Sequence, residues 1–264
     1  MSGKPVNSDP KSGAPEGRAT AAAGRRPRKA LALVSGAIVF LILIGLGTWQ
    51  VQRLHWKEGL IATIASRMAE PPVDLLAALK ADPDVPAQEY RPVTVEGTFD
   101  HHFERHFLAT FKGQAGFNVY TPLKLDDGDW VFVNRGFVPY DRKDPSTREQ
   151  GEVQGRVTVT GLLRPVLGEK PTSLVPDNEP GKNIFYWKDI RAMAASSGLP
   201  ADAKVLGLFV DADDAPNPGG LPAGGTTIVD LPNNHLQYAV TWYGLAAALA
   251  GVLIAWLLRQ RKPA

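Results

Sequence analysis

The 264-residue sequence contains no cysteine at all. A chain without thiols cannot form disulfides, thiolate metal sites, a cysteine nucleophile or the C-x-x-C-H attachment of c-type haem. Any haem that it binds is therefore held non-covalently, and a copper-chaperone role would lack its usual soft ligands.

The sequence also lacks a large excess of charge of either sign. Its 29 lysines and arginines nearly balance 27 aspartates and glutamates, and a formal net charge of +2 gives no reason to expect nucleic-acid binding. The motifs G-x-S-x-G, H-E-x-x-H and G-x-G-x-x-G are absent too. We therefore expect a protein that is not an enzyme.

What the chain does contain is two long uncharged apolar runs, from Ala30 to Trp49 and from Tyr238 to Leu258. Each is close to the roughly 20 residues that a helix needs to cross the hydrocarbon core of a membrane. Basic residues precede the first run and follow the second, so the positive-inside rule predicts that both termini are cytoplasmic. A cleaved signal peptide is the alternative for the first run, but the run is long and no small-residue cleavage site follows it.

These runs divide the chain into five predicted parts. Residues 1–29 are expected to be a disordered cytoplasmic tail, 30–50 and 235–258 transmembrane helices, 51–234 an extracytoplasmic domain and 259–264 a short cytoplasmic tail. We favour a bacterial inner (plasma) membrane protein with a periplasmic domain. A mitochondrial protein facing the intermembrane space is the alternative, but acidic residues and prolines interrupt any transit-peptide helix.

Between the two runs, the residue pattern predicts an α+β domain with a mostly antiparallel sheet. A helix is expected to continue from the first span through residues 51–68, and shorter helices are expected at 73–80 and 186–197. Alternation of apolar and polar residues predicts strands at 93–99, 106–112, 116–125, 130–138, 155–163, 205–211 and 226–229.

His235 stands where the second apolar run begins, directly after Pro232, Asn233 and Asn234. Asparagine is a good N-cap residue, and proline discourages an earlier start, so the helix is expected to begin at the histidine. The positive end of the helix dipole and partial desolvation both disfavour a charged ring there, which favours a neutral, metal-ligating imidazole.

Ala239, Trp242 and Ala246 share the helix face of His235, since they follow it by four, seven and eleven residues. Two small residues and one flat aromatic leave room for a planar macrocycle. We therefore predict a haem site in which His235 is the axial ligand to iron and Ala239 and Trp242 contact the cofactor. The alternative is a belt of interfacial aromatic residues that happens to include a histidine.

The remaining histidines offer weaker candidates. His55 follows the first span and is the only other histidine placed to complete axial ligation, although a lone histidine on a helix surface is the commoner arrangement. His102 and His106 would share a strand face, with Glu104 between them, if strand pairing continued through this segment. Strand rise separates such residues by more than about 10 Å, too far to share one ion without a turn.

Several blocks of sequence then resemble one protein family, in order and spread from about Leu31 to Leu258. The blocks are Gly47-Thr48-Trp49-Gln50-x-x-Arg53, Trp56-Lys57, Tyr90-Arg91-Pro92-Val93, Gly116-Phe117-x-Val119-x-Thr121-Pro122-Leu123, Val133-Asn134-Arg135-Gly136-Phe137-Val138-Pro139 and Pro232-Asn233-Asn234-His235-Leu236-Gln237-Tyr238-Ala239-x-Thr241-Trp242-Tyr243-Gly244. They resemble the surfeit-locus (Surf-one, Shy-one) assembly factors of cytochrome c oxidase.

The resemblance implies a two-span inner-membrane protein that binds haem a and aids its insertion into subunit I of a haem-copper oxidase. His235 matches the family's haem-associated histidine. Subunit I, haem a synthase and membrane lipid are the partners that follow. The alternative is a scaffold that stabilises an oxidase assembly intermediate without binding haem. The client oxidase, cytochrome c or quinol, is left open.

Two further features take their interpretation from the resemblance. Arg135, within Asn134-Arg135-Gly136, is expected either to tie a loop to the domain or to contact a haem propionate. Small residues at Gly244, Ala248, Gly251 and Ala255 follow one face of the second span and would allow close helix packing. Their partner would be the first span or a helix of the oxidase.

Overall fold

The computed structural model describes residues 25–227 and 231–261. By its internal contacts the chain separates into two compact units. One unit contains the helical segments up to Glu58 and from Pro232 onward, and the other is the domain Gly59–Leu231.

Two long helices carry the apolar runs, α1 over Arg25–Met68 and α4 over His235–Arg261. Both contain stretches that are long and apolar enough to cross a membrane, and few side chains of these stretches are buried within the protein. Exposed apolar helices of this length are what a membrane protein presents to lipid. Of the predicted N-terminal tail, residues 1–24 lie outside the described residues, and α1 begins at Arg25.

Within their unit, α1 and α4 pack against each other in antiparallel order. A Cβ atom added at Gly36 would lie 3.0 Å from the Leu253 side chain, and one added at Gly47 would lie 2.8 Å from the Tyr243 ring. Residues later in α1 therefore contact residues earlier in α4. Glycine at these two positions of α1 lets the backbones approach more closely than a larger residue would.

The domain is built on one seven-stranded sheet. Its strands are β1 (Val73–Asp74), β2 (Pro92–Phe99), β3 (Arg105–Phe111), β4 (Gln114–Leu125), β5 (Trp130–Pro139), β6 (Arg156–Pro165) and β7 (Val205–Ala212). The order across the sheet is β1-β2-β6-β7-β5-β4-β3, and an additional pairing of β2 with β4 closes five of the strands into a ring. Among these seven strands, β1–β2 and β5–β7 are parallel pairs and the other pairs are antiparallel. The predicted α+β fold with a mostly antiparallel sheet is confirmed.

Apolar side chains fill the interior of the ring, which explains why these strands pair as they do. Inward-facing positions of β2, β4, β5, β6 and β7 form one cluster, in which Val93, Leu123, Val133, Leu163 and Val210 are fully buried. Burying such side chains contributes roughly 1.5–3 kcal/mol each. The ring is therefore a packed core rather than a ligand cavity.

Two short helices complete the domain, and both begin later than the sequence pattern indicated. Helix α2 spans Leu75–Ala81 because Val73 and Asp74 pair with β2 and the Asp74 carboxylate caps the helix. Helix α3 spans Ile190–Ser197, capped by Asp189. Of the last predicted strand, residues 226 and 227 are not in a strand, and residues 228 and 229 lie outside the described residues.

Candidate functional site

His235 is the first residue of α4, as its capping sequence predicted, and it contacts the other long helix. Its ring atom Nδ1 lies 2.7 Å from Oε1 of Gln50 on α1, which is a hydrogen-bond distance. The Gln50 side chain is buried, whereas His235 is half-buried. Within residues 25–227 and 231–261, Nε2 of His235 has no hydrogen-bond partner and is the ring atom that can serve as a metal ligand.

The residues predicted to lie beneath His235 are on the side of α4 that faces α1. Ala239 and Ala246 are only 2% and 1% exposed, and Trp242 is half-buried. Ala239 stands one helical turn from both His235 and Tyr243, which each contact α1, so α1 covers it. The donor set fits haem held by one axial imidazole, but a planar group cannot reach Ala239 while the helices are in contact.

A second contact fixes the alignment of the helices two turns of α4 away from His235. The hydroxyl oxygen of Thr48 lies 3.1 Å from that of Tyr243, and the Tyr243 ring packs over Gly47. The side chains of α1 from Gly47 to Gln50 are thus held in register with His235. Gln50 was not predicted as a site residue. It directly follows the first apolar run, and His235 stands just before the second, so two antiparallel spans would bring these positions to the same side of the membrane.

His55, the predicted second axial ligand, is exposed on α1. It follows Gln50 by five residues, which turns it about 140° around the helix from the side that contacts His235. The structure does not bring His55 and His235 into contact. Its ligand role stays a prediction.

The histidine cluster of the domain differs from the predicted arrangement. Residues His101–Phe103 form a 3₁₀ turn capped by Asp100, so strand pairing does not continue through them and His102 and His106 do not share a strand face. The His102 side chain is 94% exposed, whereas His106 is buried. Among the described residues, no three histidine, aspartate or glutamate side chains are grouped so that they could hold a metal ion.

Instead, the same segment builds a buried ion-pair network. Glu104 is bonded to the guanidinium of Arg148, and its Oε1 lies 3.1 Å from Nε2 of His106. All three side chains are at most 5% exposed. Burial raises the pKa of Glu104. The His106 hydrogen bond and the Arg148 charge together lower it by more than burial raises it, so the pKa lies below its ordinary value.

Arg135 ties two loops to the sheet. Its guanidinium donates to the backbone carbonyl of Gly151 and, at 3.0 Å, to the side-chain oxygen of Asn217, and it stacks over the Phe99 ring. Burial is the main cause that lowers the pKa of Arg135 to about 10, so the side chain stays charged at neutral pH. Of the two predicted roles, these contacts realise the loop-tying one.

The small-residue face of α4 does not pack against α1. A Cβ atom added at Gly244 or Gly251 would meet no atom within 4 Å, and Ala248 and Ala255 are exposed. Of the two predicted partners for this face, the first span of the same chain is therefore excluded.

Comparison with known proteins identifies the family. A model of the SURF1 family matches residues 37–247, a span that contains the His235–Gln50 pair and the domain. The chain belongs to the SURF1 family. This confirms the resemblance seen in the sequence, and the family is known for oxidase assembly factors rather than for catalysis.

Individual members of the SURF1 family align over most of their length. The chain is 42% identical over 222 residues to surfeit locus protein 1 of Rattus norvegicus, covering 77% of this chain and 68% of the rat protein. The protein of the same name from Homo sapiens is 40% identical over 233 residues, with 81% and 74% covered. A SURF1-like protein from Monosiga brevicollis is 38% identical over 237 residues, with 84% and 85% covered.

Proposed function

We propose that this SURF1-family protein binds haem a through His235 and aids its insertion into subunit I of a haem-copper oxidase. The observation that carries the proposal is the placement of one imidazole at the start of a membrane-type helix, with Nδ1 engaged by Gln50 and Nε2 available. Ligating histidines commonly have the second ring nitrogen hydrogen-bonded in this way. When bound, haem a would supply the iron and the porphyrin that the oxidase requires.

In this proposal, the rest of the chain places the histidine. The long helices cross the inner membrane with both termini in the cytoplasm, which leaves the domain in the periplasm. Trp242, which is half-buried, can contact a macrocycle with the helices as they stand, whereas Ala239 becomes accessible only if α1 moves away. Subunit I receives the haem, haem a synthase supplies it, and membrane lipid surrounds the exposed apolar helices.

A second candidate function is supported by the packing of the helices. Because Gly47 lies against Tyr243 and Ala239 is covered, the helices are closely packed over the two turns of α4 that follow His235. A closed pair suits a scaffold that stabilises an oxidase assembly intermediate without binding the cofactor. In that case the His235–Gln50 bond would only lock the two helices together.

The substitution His235→Ala separates the two functions. The full-length protein would be purified from cells that make haem a, and bound haem would be measured as the pyridine haemochrome, together with the haem content of the oxidase. For a haem-binding factor, both quantities fall while the variant remains in the membrane. His102→Ala is the matched control, because that side chain is exposed in the domain, and it should change neither quantity.

Equal haem content in wild-type protein and His235→Ala would contradict the haem-binding proposal. Such a result, with oxidase assembly intact, would favour the scaffold. A wild-type protein that contains no haem, although the cells produce haem a, would also contradict the haem-binding proposal.

A further inference from the structure

Gln50 is a polar side chain in an apolar setting. It is 8% exposed and lies directly after the first apolar run, where α1 contacts the start of α4. Burying an amide away from water costs free energy unless it is hydrogen-bonded. The partner that it has is Nδ1 of His235, 2.7 Å from its oxygen.

We propose that Gln50 is a positioning residue that holds His235 in the tautomer able to ligate iron. The proposal rests on the haem-binding function proposed above. The amide oxygen is an acceptor only, so the ring nitrogen that it contacts must carry the proton. A neutral imidazole has one proton on its two nitrogens, and a proton on Nδ1 leaves the lone pair on Nε2.

The reverse arrangement shows why an acceptor is needed at this position. In a neutral imidazole that is free of such a partner, the proton can reside on Nε2, and Nε2 is then unable to bind a metal. An acceptor at Nδ1 removes that competing state and increases the basicity of the other nitrogen. Gln50 would therefore raise metal affinity without touching the metal.

The contact is also held by its surroundings. Three residues before Gln50, Gly47 packs under the Tyr243 ring, and the Thr48 hydroxyl lies 3.1 Å from the Tyr243 hydroxyl. Tyr243 is two turns of α4 away from His235. The register between the helices is thus fixed next to the Gln50–His235 pair, which restricts the ring to the side where the amide oxygen lies.

The first experiment reads the tautomer without haem. Full-length protein labelled with ¹⁵N-histidine would be studied by NMR in lipid nanodiscs, and the His235 signals assigned by their loss in His235→Ala. We expect wild-type His235 to carry its proton on Nδ1. In Gln50→Leu the population should move toward the form protonated on Nε2, and in Gln50→Glu, which keeps an acceptor, it should not.

The second experiment measures haem binding by the same variants. Loss of a hydrogen bond to a ligating histidine typically lowers metal affinity about 10–100-fold, so Gln50→Leu should weaken haem binding at least about tenfold. Gln50→Glu should retain binding. Gln52→Leu is the matched control, because Gln52 is two residues away on the same helix but exposed, and it should affect neither tautomer nor affinity.

The results distinguish this inference from the proposed function. If wild-type protein binds no haem, the function fails and the positioning role fails with it. If wild-type protein binds haem but Gln50→Leu binds it equally well, or if wild-type His235 carries its proton on Nε2, haem binding stands and the role of Gln50 is overturned.

Discussion

The His101 ring lies between a cation and a carbonyl group. Its Nδ1 is 3.4 Å from Nη1 of Arg135, and its Nε2 is 2.9 Å from the carbonyl oxygen of Val153. The ring accepts from the guanidinium and donates to the carbonyl, which requires the neutral form with its proton on Nε2. Burial, assisted by the Arg135 charge, lowers the pKa of His101, although the Val153 carbonyl, Glu152 and Glu104 oppose the shift.

This arrangement predicts that the stability of the domain falls as the pH falls below the ordinary histidine value of about 6.5. In that range the unfolded chain binds a proton at His101 and the folded chain does not, so protons favour unfolding until the pH passes the lower, folded pKa. The free energy of unfolding would be measured against pH on the full-length protein in detergent, using near-ultraviolet circular dichroism.

In His101→Gln, the part of the pH dependence that begins near 6.5 should become shallower. The exposed neighbour His102 provides the control, and His102→Gln should leave the slope as it is. An unaltered slope in His101→Gln would show that another group is responsible.

Arg135→Lys should destabilise the domain even though it keeps the charge. Lysine cannot reproduce the planar set of donors that contacts Gly151, Asn217 and His101, so at least one buried acceptor loses its partner. Each such loss costs about 1–3 kcal/mol. Denaturant unfolding gives the magnitude, and Arg142→Lys at an exposed position should change it little. Equal stability of the two variants would contradict the role of the guanidinium.

Glu104→Ala should be among the most damaging substitutions in the domain. It removes the only carboxylate bonded to Arg148 within the described residues, which leaves a buried charge uncompensated. Breaking a buried pair from one side costs about 3–5 kcal/mol. Glu149 directly follows Arg148 and is exposed, so the free energy of unfolding of Glu149→Ala should stay within about 0.5 kcal/mol of the wild-type value. The experiment is again denaturant unfolding, and a loss under about 1 kcal/mol for Glu104→Ala would refute the prediction.

Gly47→Val should separate the two long helices. Its Cβ atom would lie 2.8 Å from the Tyr243 ring, whereas a Cβ atom at Gly45 would meet no atom within 4 Å, so Gly45→Val is the matched control on the same helix. Overpacking of this kind costs about 1–3 kcal/mol.

The absence of native cysteine allows a direct measurement of helix separation. Gly36→Cys and Leu253→Cys would place two thiols where α1 and α4 touch, and disulfide formation in the membrane would report their contact. Gly47→Val should lower the cross-linked fraction severalfold and Gly45→Val should not. Equal cross-linking would mean that the helices meet differently at Gly47.

The strands and long helices were predictable because each has a local signature. β2 and β5 alternate or run apolar between turn residues, and the start of α4 at His235 follows from its capping asparagines. The turn at His101–Phe103 was not predicted, because its cap is Asp100 and a single aspartate before a histidine pair is a weak signal. Such caps decide between strand and turn by one hydrogen bond.

The candidate site was predictable only in part. Sequence spacing places Ala239 and Ala246 on the side of α4 that carries His235. It did not predict that α1 would cover that side. Gln50 precedes His235 by 185 positions, and such a pair depends on the register between two helices. No local pattern encodes that register. It arises from close contacts such as that of Gly47 with Tyr243.

Strand β4 is paired along one edge with β5, and along the other edge first with β3 and then with β2. Strand β4 is therefore hydrogen-bonded to neighbouring strands along both of its edges. The ring cannot open at β4 without breaking the closure of β2 on β4 or the long hairpin with β5. Each strand of the ring is paired along both edges, so none can leave the ring without breaking two ladders, and the ring is expected to unfold cooperatively.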